Sequence, residues 1–112
     1  MTADIERSNG NVYDDLGLID AEEMQLKAQL AMAISDILKA RGLTQQEAAR
    51  LLGMTQPKLS LLLRGQFRGI SETKMMACLM LLGRDISIVV GEAQQARGKM
   101  RLIYQPPEKG RA

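Results

Sequence analysis

Between Leu43 and Gly65 two helix starts are separated by a single glycine-centred turn, and that spacing leaves the chain few ways to fold. Thr44 followed by Glu47 is a capping box, in which hydroxyl and carboxylate each satisfy a backbone N–H left free at a helix start. It predicts a helix over Gln45–Leu52. Gly53 then supplies a residue free to turn sharply. Thr55 caps a second helix, with Pro57 in the first turn where its missing N–H costs nothing, so the next helix spans Gln56–Arg64. Two helices this short, joined over so tight a turn, must cross steeply. Ala48, Ala49, Leu51 and Leu52 give the first an apolar side, with Ala49 small enough for close approach. Leu59, Leu62 and Leu63 turn the second inward, which leaves Gln56, Pro57, Lys58, Ser60, Leu61 and Arg64 outside.

The flanking sequence predicts more helix, then a change of period. Asp20 and Glu23 form a second capping box, and Leu26, Leu30, Ile34, Ile37 and Leu38 recur at helical spacing, so a helix is expected over 20–40, stopping at Gly42. Ahead of it, residues 1–11 are polar and lack a structural pattern. Val12, Tyr13, Leu16, Leu18 and Ile19 form a short apolar set that docks, making 1–19 a flexible or docking segment. After a loop holding Gln66, Phe67 and Arg68, Ser71 caps a helix through Leu82 that ends at Gly83. Ile86, Ile88 and Val90, then Met100, Leu102 and Tyr104, alternate with their neighbours in the period of strands. The expected fold is mainly α: four to five short helices, with one or two β-strands over 84–104 that could serve dimerisation, and a loose tail over 105–112.

Composition narrows the chemistry. Cys78 is the sole cysteine and histidine is absent, so disulfide frameworks, His/Cys metal sites and histidine acid–base catalysis are excluded together. No enzyme activity, cofactor or metal is expected. The carboxylates Asp14, Asp15, Asp20, Glu22 and Glu23 read as helix-start charge favoured by the dipole rather than as a site. Cys78 reads as an inert buried thiol. The apolar run Met75–Leu82 falls well short of the ~20 residues a bilayer crossing needs, and the start of the chain carries no signal pattern, so a cytoplasmic protein is expected. The net charge of +2 hides a split: residues 1–36 carry −6 and residues 37–112 carry +8, with +5 of it between 39 and 74. A polyanion would meet the middle of the chain and be repelled by its start.

The residues Thr44, Gln45, Glu47, Ala49, Gly53, Thr55-Gln56 and Arg64-Gly65, at these offsets, resemble the phage-repressor and Cro-like helix-turn-helix family, also called XRE. The resemblance covers about 20–83 and implies a lambda-repressor-like DNA-binding fold. It also implies a homodimer that places the third helix of each subunit in the major groove of a palindromic operator. Carried over by position, Gln45 and Arg64 would hold phosphates and Gln56 and Lys58 would reach base edges; Gln pairs with adenine and Lys with guanine. Thr55, Pro57, Ser60 and Leu61 complete the groove-facing set, and Gln66, Arg68 and Lys74 extend the grip on the backbone. Pro57 and Leu61 depart from the polar readers common in the family, which shifts recognition toward thymine methyls and DNA shape.

Gly10-Asn11-Val12-Tyr13-Asp14-Asp15-Leu16-Gly17-Leu18 and Asp85-Ile86-Ser87-Ile88-Val89-Val90 are similar to a narrower branch of HigA-like antitoxins or small XRE regulators. That likeness implies a repressor that autoregulates its own transcription unit and binds a small basic toxin. Its alternative is a protein-interaction module that neutralises the toxin without significant DNA binding.

Overall fold

The computed structural model describes residues 12–107, of which 12–16 and 18 by their backbone. Four helices follow one another among the described residues: α1 (Val12–Arg41), α2 (Gln45–Leu52), α3 (Gln56–Leu63) and α4 (Glu72–Leu81). No helix among them is long and apolar enough to cross a membrane. The expected disorder of 1–11 and of 108–112, and the docking of Val12, Tyr13, Leu16 and Leu18, lie outside the described residues; Ile19 is exposed.

Leucine and isoleucine at helical spacing make α1 the spine of the core. Leu30, Ala33, Ile34, Ile37 and Leu38 are buried along one face, and α1 packs chiefly against α4, whose Met75, Cys78 and Leu79 are buried in return, with Leu82 just past its end. The α2–α3 pair closes the core with Ala48, Ala49, Leu52, Leu59 and Leu62, while Phe67 and Ile70 plug it from the α3–α4 loop. Burial raises the affinity of the Cys78 thiol for its proton, against a smaller opposite pull from Lys74 one turn back, so the thiol is not activated.

Three sequence-based expectations need correction. α1 begins at Val12 rather than Asp20. Asp20 and Glu23 carry a capping-box spacing, but 12–19 contain no proline to stop the helix running through them. Asp20, Glu22 and Glu23 therefore lie in the body of a helix, where the terminal dipole gives them no advantage. Glu22 instead holds Arg97 through two hydrogen bonds of 3.0 and 3.1 Å. Leu51 is 40% exposed. At about 100° per residue it falls on the far side of Ala48 from Ala49 and Leu52, off the buried stripe.

The third concerns the C-terminal segment, which forms no strand among the described residues. The alternation itself survives only over 102–104, where Leu102 and Tyr104 pack against the core and Ile103 faces out; Ile86 packs inward, but Ile88 and Val90, expected on its face, and Met100 are exposed. What is missing is a backbone ladder, without which alternation leaves only extended chain. Side chains hold the segment in its place: Tyr104 donates to Asp36 Oδ2 at 2.9 Å, Arg84 lies 5.6 Å from the Tyr104 ring centre, and Arg84 donates to the Gln105 carbonyl. Ile88, Val89 and Val90 stay 78–93% exposed.

Candidate nucleic-acid interface

Two caps and two turns place α3. Thr44 Oγ1 accepts from the Glu47 N–H at 3.1 Å and Glu47 Oε1 accepts from the Thr44 N–H at 2.9 Å, so the predicted capping box is formed. These bonds, the backbone one foremost, hold the Glu47 carboxyl below the usual carboxylate range. α2 then stops at Gly53, whose φ of 66° is the left-handed conformation that favours glycine. The Met54 N–H reaches the Ala49 carbonyl at 3.0 Å and the Gly53 N–H that of Arg50, closing a Schellman turn. Thr55 caps α3 by accepting from the Lys58 N–H at 3.3 Å, with Pro57 in the first turn.

The cap on α2 yields a stability prediction. Thr44→Ala strands the Glu47 N–H and is expected to cost about 1 kcal/mol, several degrees in Tm, with Thr44→Ser restoring most of it. The other half of the box, the Thr44 N–H on the Glu47 carboxylate, survives in Thr44→Ala; because the folded carboxyl has a lowered pKa, that half contributes above the ordinary carboxylate value and is lost as pH falls through the folded one. Thermal melts of Thr44→Ala, Thr44→Ser and Glu47→Ala at neutral and acidic pH check both halves: the gap between wild type and Glu47→Ala should shrink in acid, while that of Thr44→Ala should largely persist.

On this frame Leu59 and Leu62 are buried while Gln56, Pro57, Lys58, Leu61 and Arg64 are exposed and Ser60 is half-buried. Leu63, expected inside, is also half-buried. α3 ends at Leu63 with Arg64 as its C-cap, one residue earlier than expected, and Arg64 Nε donates to the Ser60 carbonyl at 3.4 Å. Gln45 is exposed at the first position of α2; Gln66 and Arg68 are exposed in the loop after α3. The Thr55 hydroxyl is committed to its cap. The structure thus gathers the groove-facing candidates on one helix, with Gln45 and Arg68 on separate elements.

Arg50 completes a cluster that the sequence pattern did not single out. With Lys58 and Lys74 it lines an open cleft of about 490 Å³ beside Gly53 and Thr55. Lys74 Nζ reaches the Leu52 carbonyl at 3.4 Å, the free end of α2. Three cations around the start of α3 form a surface suited to a phosphate chain. The signal was in the sequence as local charge, but Arg50 sits on the outer face of α2, and only the crossing angle brings it beside Lys58.

Comparison with known proteins agrees with this geometry. The family described as "Helix-turn-helix domain" matches residues 12–91. A solved structure named "Putative XRE Family Transcriptional Regulator" superposes with a TM-score of 0.72 at 33% identity, covering 77% of this chain and 99% of that one. No curated protein matches. The chain belongs to the XRE helix-turn-helix family of DNA-binding transcriptional regulators.

Proposed function

We propose that this protein is a dimeric repressor that sets α3 of each subunit in the major groove of a palindromic operator. The observation that carries this reading is the split of α3 into a locked inner face, Leu59 and Leu62, and an outer face of Gln56, Pro57, Lys58, Leu61 and Arg64. Gln56 and Lys58 read base edges, Leu61 and Pro57 meet thymine methyls, and Arg64, Gln45, Gln66 and Arg68 hold phosphates, with Thr55 and Ser60 at the rim. Arg50 and Lys74 extend the phosphate grip. The exposed Ile88, Val89, Val90, Met80 and Leu81 form apolar surface that a second copy would cover.

Selection from a randomised duplex library with the full chain tests this. The expected product is a palindrome with half-sites about 10 base pairs apart, bound by two chains and released steeply by salt. No enrichment over the input pool would overturn the reading, and one chain per duplex would overturn the dimer.

A HigA-like antitoxin role adds a basic toxin as partner, and the −6 charge of residues 1–36 supports it. Part of that charge is already used, since Glu22 pairs with Arg97 and Asp36 accepts from Tyr104. The contact would therefore draw on the remaining carboxylates. Co-purification with the product of an adjacent reading frame, lost on deletion of residues 1–19, is the expected result. The basic face around α3 favours DNA binding alongside toxin capture over an interaction module without it.

A further inference from the structure

Lys27 is the only buried charged residue among the described ones, 6% exposed, and no step of DNA recognition requires it directly. Its Nζ donates to the main-chain carbonyl of Arg68 at 2.9 Å, across 41 residues of sequence. Arg68 stands at the tip of a tight turn that the Ile70 N–H closes on the Phe67 carbonyl at 2.9 Å. Both ends of that turn, Phe67 and Ile70, are buried in the core, while the Arg68 side chain is exposed. Fixing the carbonyl inward fixes the peptide plane, and with it the direction in which the Arg68 Cα–Cβ bond leaves the surface.

Two carboxyls feel the charge of Lys27, one on its own helix and one on α4. Glu23 lies one turn back on α1, and Glu72 opens α4. A hydrogen bond between the two carboxyls, then their repulsion, raises the proton affinity of Glu23. Glu72, held first by its own backbone N–H, moves the other way, and Lys27 favours the ionised form of both. A buried ammonium is tolerable only with such partners, and its hydrogen bond to the carbonyl is stronger for being charged.

We infer that Lys27 is a positioning residue for DNA binding: by holding the Arg68 carbonyl from beneath, it aims the Arg68 guanidinium at the phosphate backbone beside α3. This rests on the proposed repressor reading, and it assigns to α1 a role in the interface that α1 does not touch.

A double-mutant cycle with Lys27→Met and Arg68→Ala, on the duplex recovered by selection, tests it. Each single variant should weaken binding several-fold and lower the slope of log affinity against log salt by up to one. Lys27→Met should add nothing once Arg68 is already alanine. A residue that merely stabilised the fold would lower Tm yet leave affinity and slope unchanged well below Tm. Additive losses, or an unchanged salt slope in Lys27→Met, overturn the positioning role while leaving DNA binding intact. A wild type that binds no duplex overturns both. Lys27→Gln, uncharged and shorter, is taken through the same cycle if Lys27→Met does not fold. Loss of the native circular-dichroism signal in both makes Lys27 a folding residue and overturns the inference.

Discussion

Leu59→Ala is expected to destabilise the protein by about 2–5 kcal/mol, a large share of the ~5–15 kcal/mol that holds a domain of this size folded. Leu59 is 0% exposed, at the point where α3 seats against the rest of the core. Truncation removes the transfer energy of the side chain and leaves a cavity, because helices clamped at the capped starts of α2, α3 and α4 and at tight glycine turns have little room to collapse into it. Leu61, two residues on, is 38% exposed, and Leu61→Ala should stay within about 0.5 kcal/mol of wild type. Urea unfolding followed by circular dichroism checks both, and Leu59→Met, which conserves volume, should cost under about 1.5 kcal/mol. Equal effects at 59 and 61 would mean that α3 is rotated from the orientation described.

What the sequence made legible were features whose cause is local. Thr44 with Glu47, Gly53, Thr55 with Pro57, and Ser71 each act on backbone groups within a few residues, so α2, α3 and the start of α4 fall where those residues place them. The errors arose where a local signal competed with context. The spacing of Asp20 and Glu23 describes a helix start as well as a helix interior, and only the residues before it decide. The alternation describes which side chains turn inward only over 102–104, as Leu102 and Tyr104 do; over 86–90 only Ile86 follows it. It says nothing of a partner strand, which has to come from elsewhere in space. The outer face of α3 was legible from its period, whereas Arg50 and Lys27 were not. Arg50 gains its position from the α2–α3 crossing, and Lys27 from a contact 41 residues away. A lysine in a helix pattern reads as solvated surface until the loop that covers it is known.

Lys58→Ala and Arg64→Ala should separate base reading from backbone holding. Lys58 contributes its N–H to the Thr55 cap through the main chain alone, so alanine preserves the helix start and removes only the side chain. If that side chain donates to guanine, the variant loses roughly 10- to 100-fold on the selected operator, about 1–3 kcal/mol, and much less on random duplex. Arg64 is the exposed C-cap of the same helix; its main-chain N–H closes the last turn and its side chain makes a long bond to the Ser60 carbonyl, so loss of the side chain leaves α3 in place. A phosphate contact carries no sequence information; Arg64→Ala should therefore weaken operator and random DNA by the same factor and reduce the salt slope by about one. Titrations of both duplexes across a salt series give all four numbers. Equal losses on operator and random DNA for Lys58→Ala would move Lys58 to the backbone, leaving Gln56 as the polar reader on a face otherwise made of Pro57 and Leu61. Recognition would then run through methyl contacts and the deformability of the duplex, and base changes flanking the contacted pairs would matter as much as those within them.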